Sequence, residues 1–313
     1  MSDYSILVDS RTFGKGAQKE QLYSLFRAYS LEPTFLSMED AAEIISEFDG
    51  LIIGTSKVTR NILAKARRLR VIIKYGVGID NIDTAAARKY GVKIMNLPGI
   101  NSQAVAELAL GMMFAVARKI TVGDRAIRNG NYEGIIGTSV VGKTLGIIGT
   151  GSIGCALAQM VSGLGMTILG YDVVHNPSFT TSGGEYVTLD YLLKSADFIS
   201  LHLPLTQQTI HFMDREKLGC MKKGAFLINT SRSRVIDEQA LMEVLTTGQL
   251  AGAALDVFEN KPPTLKNLFM MENVVVTPHI GAYTNETLRR MDEACISALS
   301  SALQNNKKKE PTH

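Results

Sequence analysis

Cysteine is scarce in this sequence, with three in 313 residues. Cys155, Cys220 and Cys295 stand far apart and are odd in number, so they offer neither a metal-ligand spacing nor a disulfide framework. A reducing cytoplasm is the expected compartment. Long hydrophobic runs are also missing. The longest, "LALGMMFAVA" at 108–117, is too short for a bilayer and is bounded by Glu107 and Arg118. No signal-peptide pattern opens the chain, and no internal repeat or low-complexity segment interrupts it. Nor does one sign of charge dominate. The net charge is +3, and the run Lys307, Lys308, Lys309 alone accounts for it, which leaves no basic face for nucleic acid. A cytoplasmic protein with neither a membrane nor a nucleic-acid partner, and with no metal, is expected.

What is present is apolar and regularly spaced. A chain that is 45% hydrophobic and 313 residues long is large for one core, so two domains are expected. Short β-branched runs recur with helical patterns between them. "SILVDS", "DGLIIGT", "RVIIKYG" and "VKIMNL" occupy the first hundred residues, and "KTLGIIGT", "MTILGYD", "DFISLHL", "AFLINTS", "GAALDVF" and "NVVVTPH" follow within 143–279. Runs that are apolar throughout, without alternation, indicate strands covered on both faces and hence parallel sheets with crossover helices. The expected class is α/β, with two Rossmann-like domains in succession. "NLPGINS" at 96–102 punctuates a crossover into a strong helix, and a final helix near 285–304 has no strand behind it. Such a helix can return to the first domain. The expected division is therefore 1–99 with 285–313, and 100–284 between them.

"KTLGIIGTGSIG" carries the clearest chemistry. Gly149, Gly151 and Gly154 form G-x-G-x-x-G directly after an apolar strand and before the helical "CALAQMVSGLG". The three glycines suit a tight turn, close approach of backbone to a pyrophosphate, and close helix–strand packing, while the helix N-terminus faces the phosphates. The next strand ends in Asp172, 18 residues past Gly154, where an acid accepts bonds from an adenosine ribose diol and repels a 2′-phosphate. NAD is the expected cofactor. Hydride transfer to a carbonyl also needs a cation to hold the substrate and a nearby proton donor, and strand C-terminal edges are where an open sheet places them. "FLINTSRSRVIDEQAL" delivers Arg232 past one strand, and "VVVTPHIGAYT" delivers His279 past another.

Together "KYGVGIDNID", "NSQAVAELALGMM", "GIIGTGSIG", "HLPLT", "INTSRSRVIDEQAL", "GAALDVFE" and "TPHIGAYT" resemble, in order and over nearly the whole chain, the D-isomer-specific 2-hydroxyacid dehydrogenases. The likeness is strongest to phosphoglycerate-dehydrogenase-like and glyoxylate- or hydroxypyruvate-reductase-like members. It implies a substrate domain built from both termini, a cofactor domain between them, and an active-site cleft where they meet. It implies that Arg232 binds the carboxylate and carbonyl of a small 2-keto acid while His279 exchanges the proton and NADH delivers hydride to C2. Tyr75, Gly76, Val77 and Gly78 match the loop whose backbone N–H groups receive the carboxylate. Asp256 matches an acid at the nicotinamide end. Ser152, Ile153, Leu203, Pro204, Thr230, Ser231 and Gly281 complete the implied cofactor contacts. A homodimer is implied too, through the helix matching 102–118 and the arm around "RNGNYEG" (128–134).

One position departs from the pattern. Family members usually carry a glutamate five residues after the aspartate matching Asp256, bonded to the catalytic histidine; here that position is Lys261, and Glu259 comes two residues earlier. A carboxylate beside the histidine raises its pKa, and a lysine lowers it. Four readings stay open: Glu259 shifts into the role, Lys261 binds a second anionic group of the substrate, Lys261 disables the site, or Lys261 simply faces solvent. The disabled case corresponds to a rival class, a dinucleotide-binding sensor resembling the corepressor relatives of the family. The arginine by which phosphoglycerate enzymes commonly hold a phosphate is absent before "TSKVT", where Ile53 and Gly54 stand, so the acid itself is left open.

Overall fold

Each apolar run becomes a parallel strand, and the central ones are buried throughout. The computed structural model describes residues 4–16, 19–259 and 266–307. The chain divides into two units, residues 1–101 with 282–313, and residues 102–281. These boundaries fall two residues later and three residues earlier than the sequence placed them.

The first unit contains β1 (Tyr4–Asp9), β2 (Leu31–Phe35), β3 (Gly50–Ile53), β4 (Val71–Lys74) and β5 (Lys93–Met95), ordered β2-β1-β3-β4-β5. The second contains β6 (Thr144–Ile148), β7 (Thr167–Tyr171), β8 (Gly184–Tyr186), β9 (Phe198–Leu201), β10 (Ala225–Asn229), β11 (Leu250–Leu255) and β12 (Val274–Val276), ordered β12-β11-β10-β9-β6-β7-β8. Every described pairing is parallel.

Alternate residues of a strand point to opposite faces, and in the central strands both faces are covered. In β1, Ile6 and Val8 join one core with Val71 and Ile73, while Leu7 joins the other with Leu51, Ile53 and Ile72. In the second unit Ile147, Phe226, Ile228 and Ala254 pack on one side of the sheet, and Ile148, Ile199, Leu227 and Leu255 on the other. The helix Ser102–Ala117 closes the first of these cores with Ala106, Ala109, Met113 and Val116.

The C-terminal helix, Asn285–Lys307, belongs to the first unit, which is therefore discontinuous in sequence. Met291, Cys295, Ile296, Leu299, Ala302 and Leu303 recur at helical spacing and are buried among Ile6, Ile52 and Ile73. Two strands went unrecognised in the sequence, β2 and β8. Both are sheet edges: β2 carries Glu32 and Pro33, and β8 is three residues long. Edge strands can do without an apolar coat on both faces and tolerate proline, and these two, LEPTF and GEY, lack the continuous apolar run that the other edges β5 and β12 keep. Among the described residues no helix is long and apolar enough to cross a membrane, and no cluster has the makings of a metal site.

Candidate active site

In the second unit the chemistry-bearing residues collect at the C-terminal ends of neighbouring strands. Gly149 leaves β6 with φ +95°, and a Cβ there would lie 2.6 Å from the His202 carbonyl oxygen, so only glycine makes this turn. A Cβ on Gly154 would meet the Gly149 carbonyl oxygen at 2.3 Å, which fixes how closely the helix Ser152–Val161 seats on the turn. At Gly151, by contrast, a Cβ would meet nothing within 4 Å. That is the open side of the loop, flanked by Ser152 and Ile153, where a diphosphate fits against the helix N-terminus.

Asp172 follows β7. Its Oδ2 accepts the Thr150 N–H at 2.7 Å, and its Oδ1 accepts the Val174 N–H at 3.3 Å. The acid thus braces the middle of the glycine loop. A network invisible in the sequence reinforces it: Thr150 Oγ1 and the Tyr186 hydroxyl lie 2.6 Å apart, Asn176 N–H donates to that hydroxyl at 2.8 Å, and Asn176 Nδ2 donates to the Thr150 carbonyl at 3.2 Å. His175 stacks on Tyr186 with ring centroids 3.9 Å apart.

Past β9 come His202, Leu203 and Pro204. His202 Nε2 lies 2.9 Å from Ser200 Oγ, and burial pushes the imidazole down to about 4, so it is neutral at pH 7. Its Nδ1 and the hydroxyl of Thr230, just past β10, are buried without a hydrogen-bond partner among the described residues. Buried polar atoms are ordinarily satisfied, so these orphans at the ends of β9 and β10 suit a polar ligand. The residues present therefore fit a dinucleotide.

The turn after β10 is wrapped around Asn229. Its Oδ1 accepts both the N–H and the hydroxyl of Ser231, at 2.9 and 2.7 Å, and its Nδ2 donates to the Arg232 carbonyl at 2.9 Å. The backbone of Arg232 is thereby fixed, and its Nη1 donates to the Ser231 carbonyl at 2.9 Å. Ser231, expected against the cofactor, has its N–H and its hydroxyl committed to Asn229. Sequence reading missed Asn229 because a strand-terminal asparagine has no motif of its own.

Asp256 follows β11 and is 1% exposed. Its Oδ1 accepts the Thr277 hydroxyl at 2.6 Å and the Ile280 N–H at 2.8 Å, and its Oδ2 accepts the Gly281 N–H at 3.0 Å. Burial raises its pKa, although these bonds pull the other way. Within the turn His279 has φ +59°, a left-handed conformation rare for a residue with a Cβ, and its N–H donates to the Thr277 carbonyl at 3.0 Å. Such strain costs about 1–3 kcal/mol and persists where the surroundings enforce it. Asp256 enforces it, so the acid expected at the nicotinamide end has the further task of shaping the turn that carries His279. Gly281, also expected at the cofactor, uses its N–H on Asp256.

Glu259 donates its N–H to Glu238 Oε1 at 3.0 Å, and its carboxylate lies 3.6 Å from Arg234 Nε. Glu238 is buried, and burial raises its pKa. Lys261, where the family's usual glutamate would stand, lies outside the described residues.

In the first unit the 75–78 loop leaves β4. The Tyr75 N–H donates to the Ile53 carbonyl at 2.8 Å, continuing the β3–β4 ladder, and its hydroxyl is buried against Asp292 at 2.7 Å. It holds the loop and offers a substrate neither group. Gly76 follows with φ +132°, the Asn96 side chain donates to the Val77 carbonyl at 2.7 Å, and Gly78 completes the loop. Lys74, just before the loop, is buried, with its Nζ bonded to Asn81 Oδ1 at 2.9 Å and to the Gly54 carbonyl.

A parallel sheet with a glycine-rich turn, an acid at the end of the next strand, and an arginine and a histidine at neighbouring strand ends defines a dinucleotide-dependent oxidoreductase. Comparison with known proteins gives the family. Residues 110–281 match the profile of the D-isomer specific 2-hydroxyacid dehydrogenase, NAD binding domain. The chain is 42% identical over 281 residues to a hydroxypyruvate reductase of Thermotoga maritima, covering 87% of this chain and 91% of that one. It is 43% identical over 262 residues to a glyoxylate reductase of Thermococcus litoralis, covering 80% and 79%. Among solved structures, a D-lactate dehydrogenase from Aquifex aeolicus complexed with NAD and lactic acid superposes with a TM-score of 0.85 at 28% identity, over 98% of this chain and 97% of the other. The chain belongs to the D-isomer-specific 2-hydroxyacid dehydrogenase family and is an NAD-dependent oxidoreductase.

Proposed function

We propose that this enzyme interconverts a small 2-keto acid and its D-2-hydroxy acid, with Arg232 as the substrate-binding cation and His279 as the acid–base group. The observation that carries the reading is the strained His279 turn held by Asp256. A left-handed histidine fixed by a buried carboxylate is a costly way to place a side chain that does no chemistry.

Arg232 binds the carboxylate and polarises the carbonyl of the substrate, and a guanidinium suits this because it donates in a planar fork. The backbone N–H groups of Gly76, Val77 and Gly78 receive the carboxylate. His279 supplies the proton to the carbonyl oxygen during reduction and removes it during oxidation. When bound, the nicotinamide would supply or accept the hydride at C2. Gly149, Gly151, Ser152, Ile153 and Gly154 would hold the diphosphate, Asp172 the adenosine ribose, and Leu203, Pro204 and Thr230 the nicotinamide end. The relatives named as hydroxypyruvate and glyoxylate reductases make these two acids the first substrates to try.

The enzyme is proposed to act as a cytoplasmic homodimer. The helix Ile120–Arg128 buries none of its residues, and the arm after it carries Tyr132 and Ile136 at 80% and 88% exposure. Apolar groups this exposed suit a surface covered by a second copy. Sedimentation tests it: a monomer at micromolar concentration would contradict it.

The test of function is NADH oxidation with glyoxylate and hydroxypyruvate by wild type and Arg232→Ala. The variant is expected to lose about a thousandfold in kcat/KM, the loss of about 4 kcal/mol expected when a charged pair is truncated, while binding NADH as wild type does. Unchanged turnover in Arg232→Ala removes the arginine from the site.

A further inference from the structure

The C-terminal helix contributes a buried carboxylate that the chemistry above does not use. Asp292 is 1% exposed. Its Oδ1 accepts the Tyr75 hydroxyl at 2.7 Å, and its two oxygens share the Gly14 N–H at 3.2 and 3.1 Å. The Tyr75 hydroxyl also lies 3.3 Å from the Leu288 carbonyl, and the Phe13 ring packs on Tyr75 with centroids 5.2 Å apart. Three chain segments, around residues 14, 75 and 292, thus meet at one carboxyl group. Tyr75 is the first residue of the 75–78 loop. With its N–H fixed on Ile53 and its hydroxyl fixed on Asp292, the main chain that continues into Gly76, Val77 and Gly78 starts from a locked position.

The choice of an acid is informative. Among the described residues no lysine or arginine forms an ion pair with Asp292, so the charge is buried against neutral donors alone, which is unfavourable. The titratable neighbours make it worse or are neutral. Glu293 on the same helix raises the Asp292 pKa further. The Cys295 thiol and the Tyr75 phenol are themselves pushed up by burial, and Tyr283 adds to the effect on Tyr75. Lys15, beside Gly14, is exposed, and Lys74, next to Tyr75, is bonded to Gly54 and Asn81. The net result is a carboxyl raised to about 6. An asparagine would keep one acceptor, its Oδ1, for the Tyr75 hydroxyl and the Gly14 N–H, without a buried charge. A purely structural role does not call for an aspartate, whereas a charged acceptor makes the stronger hydrogen bond to the phenol.

We propose that Asp292 is a positioning residue for substrate binding, setting the 75–78 loop through the Tyr75 hydroxyl and tying it to the 14 turn and the C-terminal helix. The proposal rests on the reading that the 76–78 N–H groups receive the substrate carboxylate. It makes the ionised form of Asp292 the competent one, so keto-acid affinity weakens as the carboxyl takes up its proton.

Full-length wild type, Asp292→Asn, Asp292→Ala and Val77→Asp are compared for keto-acid KM and kcat between pH 5 and 8, with NADH binding followed separately by fluorescence. Loss of the buried bond in Asp292→Ala is expected to raise KM about tenfold, leaving kcat and NADH affinity within about twofold. Wild-type KM is expected to rise as the pH falls through about 6. Asp292→Asn, which keeps the fold and cannot titrate, is expected to show a KM independent of pH over that range, at the wild-type acid value. An acid limb that persists in Asp292→Asn, or a KM unaltered in both Asp292 variants, overturns the proposal. Val77→Asp places a carboxylate in the loop itself and separates the two failures. If it raises KM while the Asp292 variants do not, the loop reading stands and the role of Asp292 falls. If Val77→Asp leaves KM unchanged, the loop is not the carboxylate site and both fall.

Discussion

Two turns in this molecule are each held by a buried aspartate, and they are built in opposite ways. In the second unit Asp256 gathers a hydroxyl and two N–H groups from a turn only 21 to 25 residues further along the chain. In the first unit Asp292 reaches across 217 residues to the Tyr75 hydroxyl. The Asp256 turn aims a side chain, His279, and does so by holding its backbone in a left-handed conformation. The Asp292 arrangement aims backbone, and the strain falls on glycine, since Gly76 takes the positive φ. A reacting imidazole needs its ring placed, whereas an anion-binding loop needs only its N–H groups to converge. The difference in construction follows the difference in task.

Breaking the first turn is expected to have the largest effect. His279→Ala removes the acid–base group and should lower kcat by about a thousandfold, with NADH affinity retained; a fall of less than about tenfold in stopped-flow turnover would remove His279 from the chemistry. Asp256→Ala leaves the donors of Thr277, Ile280 and Gly281 without their acceptor. It should cost about 2–4 kcal/mol in urea unfolding and lower kcat about a hundredfold through the misplaced histidine. Normal kcat in a folded Asp256→Ala would show that the turn holds without its acid.

The second turn is sharpened by stability measured against pH. Asp292 is raised from 3.8 to about 6 in the folded protein. The folded carboxyl therefore holds its proton more tightly than the unfolded one. The stability associated with this group is present below the lower value and is lost as pH rises through the window to about 6. Asp292→Asn keeps the neutral form, so above pH 6 it should be more stable than wild type by about 1–3 kcal/mol, and the gap should close near pH 4. A variant less stable than wild type at pH 7.5 would show that the ionised bonds outweigh the burial. The smallest effect is expected at the cofactor. Asp172→Ala should reduce the preference for NADH over NADPH by about tenfold, about 1.4 kcal/mol, in paired binding titrations; an unaltered ratio would leave Asp172 with only its bonds to Thr150 and Val174.

The same contrast explains what was legible in the sequence. The glycine loop, Asp172, Arg232, His279 and Asp256 stood out as candidates because each sits within a few residues of a strand end and forms part of a local pattern. Ten of the twelve strands among the described residues were visible as apolar runs, and β2 and β8 were not, because LEPTF and GEY contain no such run. Side-chain partners across the fold left no such trace. Glu238 holding the Glu259 backbone, the Thr150–Tyr186–Asn176 network and the Tyr75–Asp292 pair all depend on where separate segments meet. Tyr75 shows the limit most clearly. Its place in "KYGVGIDNID" marked it as a loop residue, but only the fold shows that its N–H and hydroxyl are both engaged elsewhere.

The central claim, a D-specific 2-keto acid reductase, is tested most directly by following the hydrogen. Wild type is supplied with NADH deuterated at the transferred position and with hydroxypyruvate, and the product is examined by NMR and chiral chromatography. The account predicts the D-2-hydroxy acid carrying deuterium at C2. Bound NADH with no turnover of hydroxypyruvate or glyoxylate, or a product of the L configuration, would contradict it.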